Sequence, residues 1–136
     1  MALEINEKEL RGIIILEPSG RLMLGQESMD FRAKVKEVLD KSDWIKEKWG
    51  WNTRIVLDLA NLSFVDSAGL GALIAARTSA ANRGAGMKLA NLTKKLRDAL
   101  TITKLVTVFD VYDSVEAAVN SYSQVEPASG APPPQS

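Results

Sequence analysis

Leu57-Asp-Leu-Ala-Asn-Leu-Ser-Phe-Val-Asp-Ser-Ala-Gly-Leu-Gly71 carries the chain from strand to helix in one short passage. The residues leading into it, Arg54-Ile-Val-Leu-Asp-Leu59, are apolar and largely β-branched, which predicts a strand. Leu62-Ser-Phe-Val65 is again strand-like and runs directly into Asp66-Ser-Ala-Gly-Leu-Gly71, which opens a helix. The apolar residues of that helix, Leu70, Leu73, Ile74, Ala80 and Ala81, fall near one face, and Arg83-Gly-Ala-Gly86 supplies a glycine stop.

The same alternation extends in both directions. Upstream, Leu3 and Ile5 alternate with polar residues, and Glu9-Leu-Arg-Gly12 turns the chain into Ile13-Ile-Ile-Leu16, a strand that Pro18 and Gly20 are expected to close. Phe31, Val35, Val38 and Leu39 then recur at helical spacing among Arg32, Lys34, Lys36 and Glu37, giving one amphipathic helix. Trp44, Trp49 and Trp51 fall in the connection that follows, read either as a lid over a sheet end or as an exposed aromatic patch. Downstream, Met87-Lys-Leu-Ala90 is a short strand and Thr93 a cap for a helix carrying Leu96, Ala99 and Leu100. Val106 to Val111 reads as a last strand, and Asp113 with Glu116 as a capping box for a helix through Val115, Ala118, Val119 and Tyr122. Strands alternating with helices predict an α/β domain with a mixed β-sheet over residues 1–125. The Pro-rich segment 126–136 is expected to be a disordered tail.

Composition narrows the function. The chain has 136 residues, 46% hydrophobic and 25% charged, the balance of a single globular domain. It contains no cysteine and no histidine, so disulfides, thiol nucleophiles, the usual zinc ligands and histidine-based general catalysis are excluded. Seventeen basic side chains balance seventeen acidic ones, which argues against direct nucleic-acid binding. The N-terminus lacks the basic and apolar regions of a signal peptide, and no apolar run reaches the ~20 residues of a membrane span. A cytoplasmic protein that is not an enzyme and needs no cofactor or metal is expected. Gly84-Ala-Gly-Met-Lys88 lacks phosphate-loop spacing, and Val65 occupies the place where a nucleophile elbow needs glycine. Lys94, Lys95 and Arg97 read as a solvated basic face.

Asp66-Ser67 is the stretch with chemistry to offer. Free N–H groups and the positive end of the helix dipole gather there. One reading makes Asp66 or Ser67 an N-cap, worth ~1 kcal/mol. The other notes that Ala68, Gly69 and Gly71 strip side chains from around Ser67, leaving a hydroxyl open to a second protein. A phosphate on it would add about −1.5 to −2 charges, tolerated by the helix end and repelled by Asp66.

The whole passage from Leu57 to Gly71 resembles the signature of the STAS domain family, specifically the bacterial anti-sigma factor antagonists. Gly20-Arg-Leu22, Asn91-Leu-Thr-Lys-Lys-Leu96 and Thr107-Val-Phe-Asp-Val111 extend the likeness to about residues 3–122. The resemblance implies the STAS fold, a mixed β-sheet with about four helices packed mainly on one side. It implies binding of an anti-sigma factor that is itself an ATP-dependent serine kinase, releasing a sigma factor for transcription. Phosphorylation of Ser67 would end that binding, and a PP2C-type phosphatase would restore it. Asp66, Ser67, Ala68, Gly69, Leu70 and Gly71 map onto the motif as partner-binding or helix-start residues. Two positions depart from it: Ala68 replaces a second hydroxyl common in relatives, and Met23 replaces an acidic residue at a further partner-binding position. Two other roles stay open on the same resemblance: a STAS scaffold subunit of a stress-sensing complex, or an accessory of a transporter or lipid-transfer system.

Overall fold

A tight hairpin begins the molecule. In this computed structural model, which describes residues 3–49 and 53–123 (side chains of 42–49 and 123 excepted), β1 (Glu4–Leu10) pairs antiparallel with β2 (Ile13–Leu22). The turn is just Arg11-Gly12, both at positive φ (54° and 78°), the two-residue geometry whose twist matches a hairpin. β1 therefore runs to Leu10, one residue past the start of the expected turn.

β2 also outruns the sequence reading. It passes through Pro18 and Gly20 to Leu22, because it changes parallel partner along its length. Ile14–Leu16 pair with β3 (Arg54–Asp58), while Gly20–Leu22 pair with β4 (Leu62–Val65). Pro18 falls between these two ladders, where its missing N–H costs neither of them a bond. β5 (Gly86–Ala90) and β6 (Asp110–Tyr112) extend the sheet in parallel beyond β3. The order is β1-β2-β3-β5-β6, with β4 on β2, and among the described residues only the β1–β2 pair is antiparallel.

Helices α1 (Gln26–Trp49), α2 (Ser67–Asn82) and α3 (Lys94–Ile102) pack on one face. Phe31, Val35, Val38 and Leu39 of α1 meet Leu16, Ile55, Leu57 and Leu89 of the sheet, with Leu73 and Ala76 of α2 and Leu96 and Leu100 of α3. Among the described residues α4 (Val115–Ser123) alone covers the other face, seating Ala118, Val119 and Tyr122 on Ile13, Ile15 and Val56. Glu7 fastens β1 to α1 through Lys34 at 2.9 Å and Lys41 at 2.8 Å. Partial burial works against the Glu7 charge, but these two ammonium groups outweigh it and hold the carboxyl below its ordinary range.

Three local expectations are corrected. The segment carrying Trp44 and Trp49 is helical, since no glycine or proline interrupts the chain between Gln26 and Trp49. Trp51 lies outside the described residues, as does the tail 126–136, and the two readings of the tryptophans concern side chains that are not described. The apolar run from Val106 is mostly not a strand. Lys104 takes a left-handed conformation (φ 63°), and Leu105–Thr107 form a 3₁₀ turn closed by the Val108 N–H donating to the Leu105 carbonyl. Only Asp110–Tyr112 reach β5. Finally, the cap of α4 is Ser114, whose Oγ accepts from Ala117 N–H at 3.0 Å, one residue beyond the Asp113 of the expected capping box.

Candidate functional site

The parallel strands β2 to β6 all end at one edge of the sheet, where open α/β sheets place their binding loops. Two of those ends meet at Asp66. Its extended backbone (φ −93°, ψ −174°) makes it the N-cap of α2, and Oδ1 accepts from Gly69 N–H at 2.8 Å. Oδ2 accepts from Leu24 N–H at 3.0 Å, forty-two positions earlier in the chain. Asp66 N–H in turn donates to the Leu22 carbonyl at 3.3 Å. The carboxylate thus ties the loop after β2 to the start of α2. The Leu24 and Gly69 hydrogen bonds, in that order, hold its carboxyl below the ordinary 3.8.

Gly69 is buried in this junction. A Cβ there would lie 2.2 Å from the Leu22 carbonyl oxygen and 2.8 Å from Val65 Cγ1, so the backbones of α2 and β2 approach as only glycine allows. Leu70 is half-buried against the core. Gly71 differs from Gly69: a Cβ added to it meets nothing within 4 Å.

Ser67 is exposed as the first residue of α2, and it is the one hydroxyl between Asp66 and Gly71. Ala68 beside it is half-buried. The loop facing it is itself anchored: Ser28 N–H donates to the Met23 carbonyl at 3.1 Å, Met29 N–H to Gly25 at 3.2 Å, and Gly25 adopts φ 107°. Met23 is half-buried, whereas Leu24 and Met29 are 77% and 62% exposed. The loop that carries Met23 and the segment Asp66–Gly71 thus meet at this junction. Asp66 and Gly69 build the junction, and Ser67 stands exposed at its edge. Leu24 and Met29, which the sequence reading does not single out, are the exposed apolar residues of this loop. Thr93 caps α3 as expected, accepting from Leu96 N–H at 3.2 Å. Among the described residues no acidic cluster is arranged to hold a metal ion, and no helix is long and apolar enough to cross a membrane.

A family model described as the STAS domain matches residues 4–118. The chain belongs to the STAS domain family. A relative from Paenibacillus polymyxa, named an anti-sigma F factor antagonist, is 26% identical over 126 residues, covering 93% of this chain and 97% of its own. The STAS domain described here also superimposes on the unphosphorylated anti-sigma factor antagonist SpoIIAA, with a TM-score of 0.62 and 17% identity over 90% of this chain and all of that one. The murine anion transporter Slc26a9 shares the fold as well, with a TM-score of 0.69 and 22% identity over 87% of this chain but 19% of the transporter. At these identities the structural likenesses show a common STAS fold.

Proposed function

We propose that this STAS protein is an anti-sigma factor antagonist switched by phosphorylation of Ser67. The unphosphorylated form binds an anti-sigma factor serine kinase in the cytoplasm and frees a sigma factor for transcription. The kinase uses ATP to modify Ser67 and thereby ends the complex, and a PP2C-type phosphatase reverses the change. The observation that carries this reading is the exposed Ser67 hydroxyl at the start of α2, beside an Asp66 whose two carboxylate oxygens are already engaged. The name of the Paenibacillus relative, which aligns over nearly its full length, supports the same role.

Physically, a dianion at the first position of a helix is favoured by the dipole and by free N–H groups, so the fold tolerates it. The same charge trapped in an interface without a partner is costly, and a loss of ~3 kcal/mol is about a hundredfold in affinity. In this reading Met23, Ala68, Leu70 and Gly71 are further partner-binding positions. The test is affinity capture from source cells, followed by phosphorylation with the captured kinase and ATP. One phosphate on the native chain and none on Ser67→Ala is the expected result. Equal modification of both overturns the site, and capture of a membrane transporter in place of a kinase overturns the role.

A further inference from the structure

Just before Ser67 in the chain, β4 leaves a notch open against α3. Phe64 and Val65 of β4 form one wall, and Lys95 and Ala99 of α3 the other. Its volume is about 70 Å³, well below the ~300–1,000 Å³ of small-molecule sites and suited to one aliphatic side chain. The walls offer free apolar surface, since Phe64 is 45% exposed and Val65 and Ala99 are half-buried. A ring left that open at the edge of a concavity is the kind of anchor on which binding energy concentrates.

The polar groups around the notch divide into engaged and free. Ser63 Oγ donates to the Gly20 carbonyl at 2.9 Å, and Thr93 Oγ1 accepts from Leu96 N–H at 3.2 Å. On α3, Lys94 pairs with Asp98 at 3.0 Å, and Arg97 lies 3.7 Å from Asp113. Lys95, between them in sequence, is exposed and has no carboxylate partner among the described residues. Across the β2–β4 ladder Phe64 stands in register with Arg21, which is exposed and equally without a carboxylate there. No acidic side chain lines the notch among the described residues. Two unpaired cations therefore flank one exposed aromatic ring, in a chain whose acids and bases are equal in number. That combination favours an acidic segment carrying an aliphatic residue and disfavours a basic one.

Position selects the protein that supplies the segment. Phe64 and Ser67 are separated by at most ~11 Å of extended chain. An interface burying about 800 Å² per partner spans a patch much wider than that, so a protein covering Ser67 also reaches the notch. We propose that the β4–α3 notch seats one aliphatic side chain from an acidic segment of the kinase that docks on Ser67, its carboxylates facing Lys95 and Arg21. The choice of the kinase rests on the proposed role of Ser67; the chemistry of the notch does not.

The experiment has two arms. The first titrates the ¹⁵N-labelled full chain with three acetylated, amidated tripeptides: Glu-Leu-Glu, Lys-Leu-Lys and Glu-Ser-Glu. Glu-Leu-Glu is expected to shift the Phe64, Lys95 and Ala99 amides saturably, about fivefold more tightly than either of the others. Lys95→Glu, on an exposed side chain, should weaken it by a similar factor, and Phe64→Ser should abolish binding. Equal binding of Lys-Leu-Lys overturns the charge assignment, and equal binding of Glu-Ser-Glu overturns the aliphatic seat. No shift at these amides, or an unchanged affinity in Lys95→Glu, overturns the proposal whether or not Phe64→Ser folds. The second arm measures phosphorylation of the chain by the captured kinase with ATP. Lys95→Glu should raise KM about fivefold at unchanged kcat, because the notch holds the partner and does not touch the reacting hydroxyl. An unchanged KM overturns the kinase as the source of the segment. Absence of phosphate on Ser67 of the native chain instead overturns the role of Ser67, and the tripeptides then decide the notch by themselves.

Discussion

Asp66 and the two glycines after it separate functions that one motif merges. Asp66→Asn keeps an oxygen to cap Gly69, but its amide cannot replace the acceptor at Leu24 unless the cap is surrendered. The expected outcome is a folded protein in which the Leu24 amide exchanges hydrogen roughly tenfold faster while Gly69 stays protected, read by NMR exchange. The pH dependence has a definite sign. Because the folded Asp66 carboxyl titrates below 3.8, its contribution to stability is complete above that value. It is lost only as pH falls through the lower folded value, and the Leu24 and Gly69 amide shifts should report that midpoint. Gly69→Ala and Gly71→Ala should move stability in opposite directions. The first drives a methyl into the Leu22 carbonyl and should cost about 1–3 kcal/mol. The second meets open space in a helix and should gain up to ~1 kcal/mol, with denaturant titration as the measurement for both. A weaker partner affinity in a stabilised Gly71→Ala would mark Gly71 as a contact position.

At the level of elements, what could be read in advance was whatever depends on near neighbours in sequence. The N-caps at Asp66 and Thr93, the buried stripe of α1 and the apolar strand before Asp58 all follow from spacings of a few residues. The departures divide between distant causes and local conformations. Pro18 is harmless because β2 changes partner around it, a fact that depends on β3 and β4 tens of residues away. Val106 and its neighbours have strand-forming side chains but stand where Lys104 has already reversed the chain. Leu24 gains its place from a carboxylate forty-two positions on, a bond no local pattern announces. The start of α4 gives a direct check of the reassigned cap. Ser114→Ala should destabilise by ~1 kcal/mol, whereas Asp113→Ala, at a side chain 99% exposed, should change thermal stability very little.

For the whole molecule, the asymmetry of the two sheet faces matters most. Three helices share one face and α4 holds the other, with the Tyr122 hydroxyl donating to the Ile55 carbonyl at 2.9 Å and Gly86 lying against its ring. Burial pushes that phenol well above its ordinary range, so it remains a donor throughout neutral and moderately alkaline conditions. Tyr122→Phe keeps the ring under the Lys88 ammonium, 4.2 Å away, and removes only the donor. A loss of about 1–3 kcal/mol is expected in denaturant titration, with α4 amides exchanging first. Because α4 follows every strand it covers, a ribosome must complete the entire sheet before the second face can be closed. Ile13, Ile15, Val56 and Ala90 stay naked through all of that synthesis, the interval in which a nascent chain depends most on chaperones.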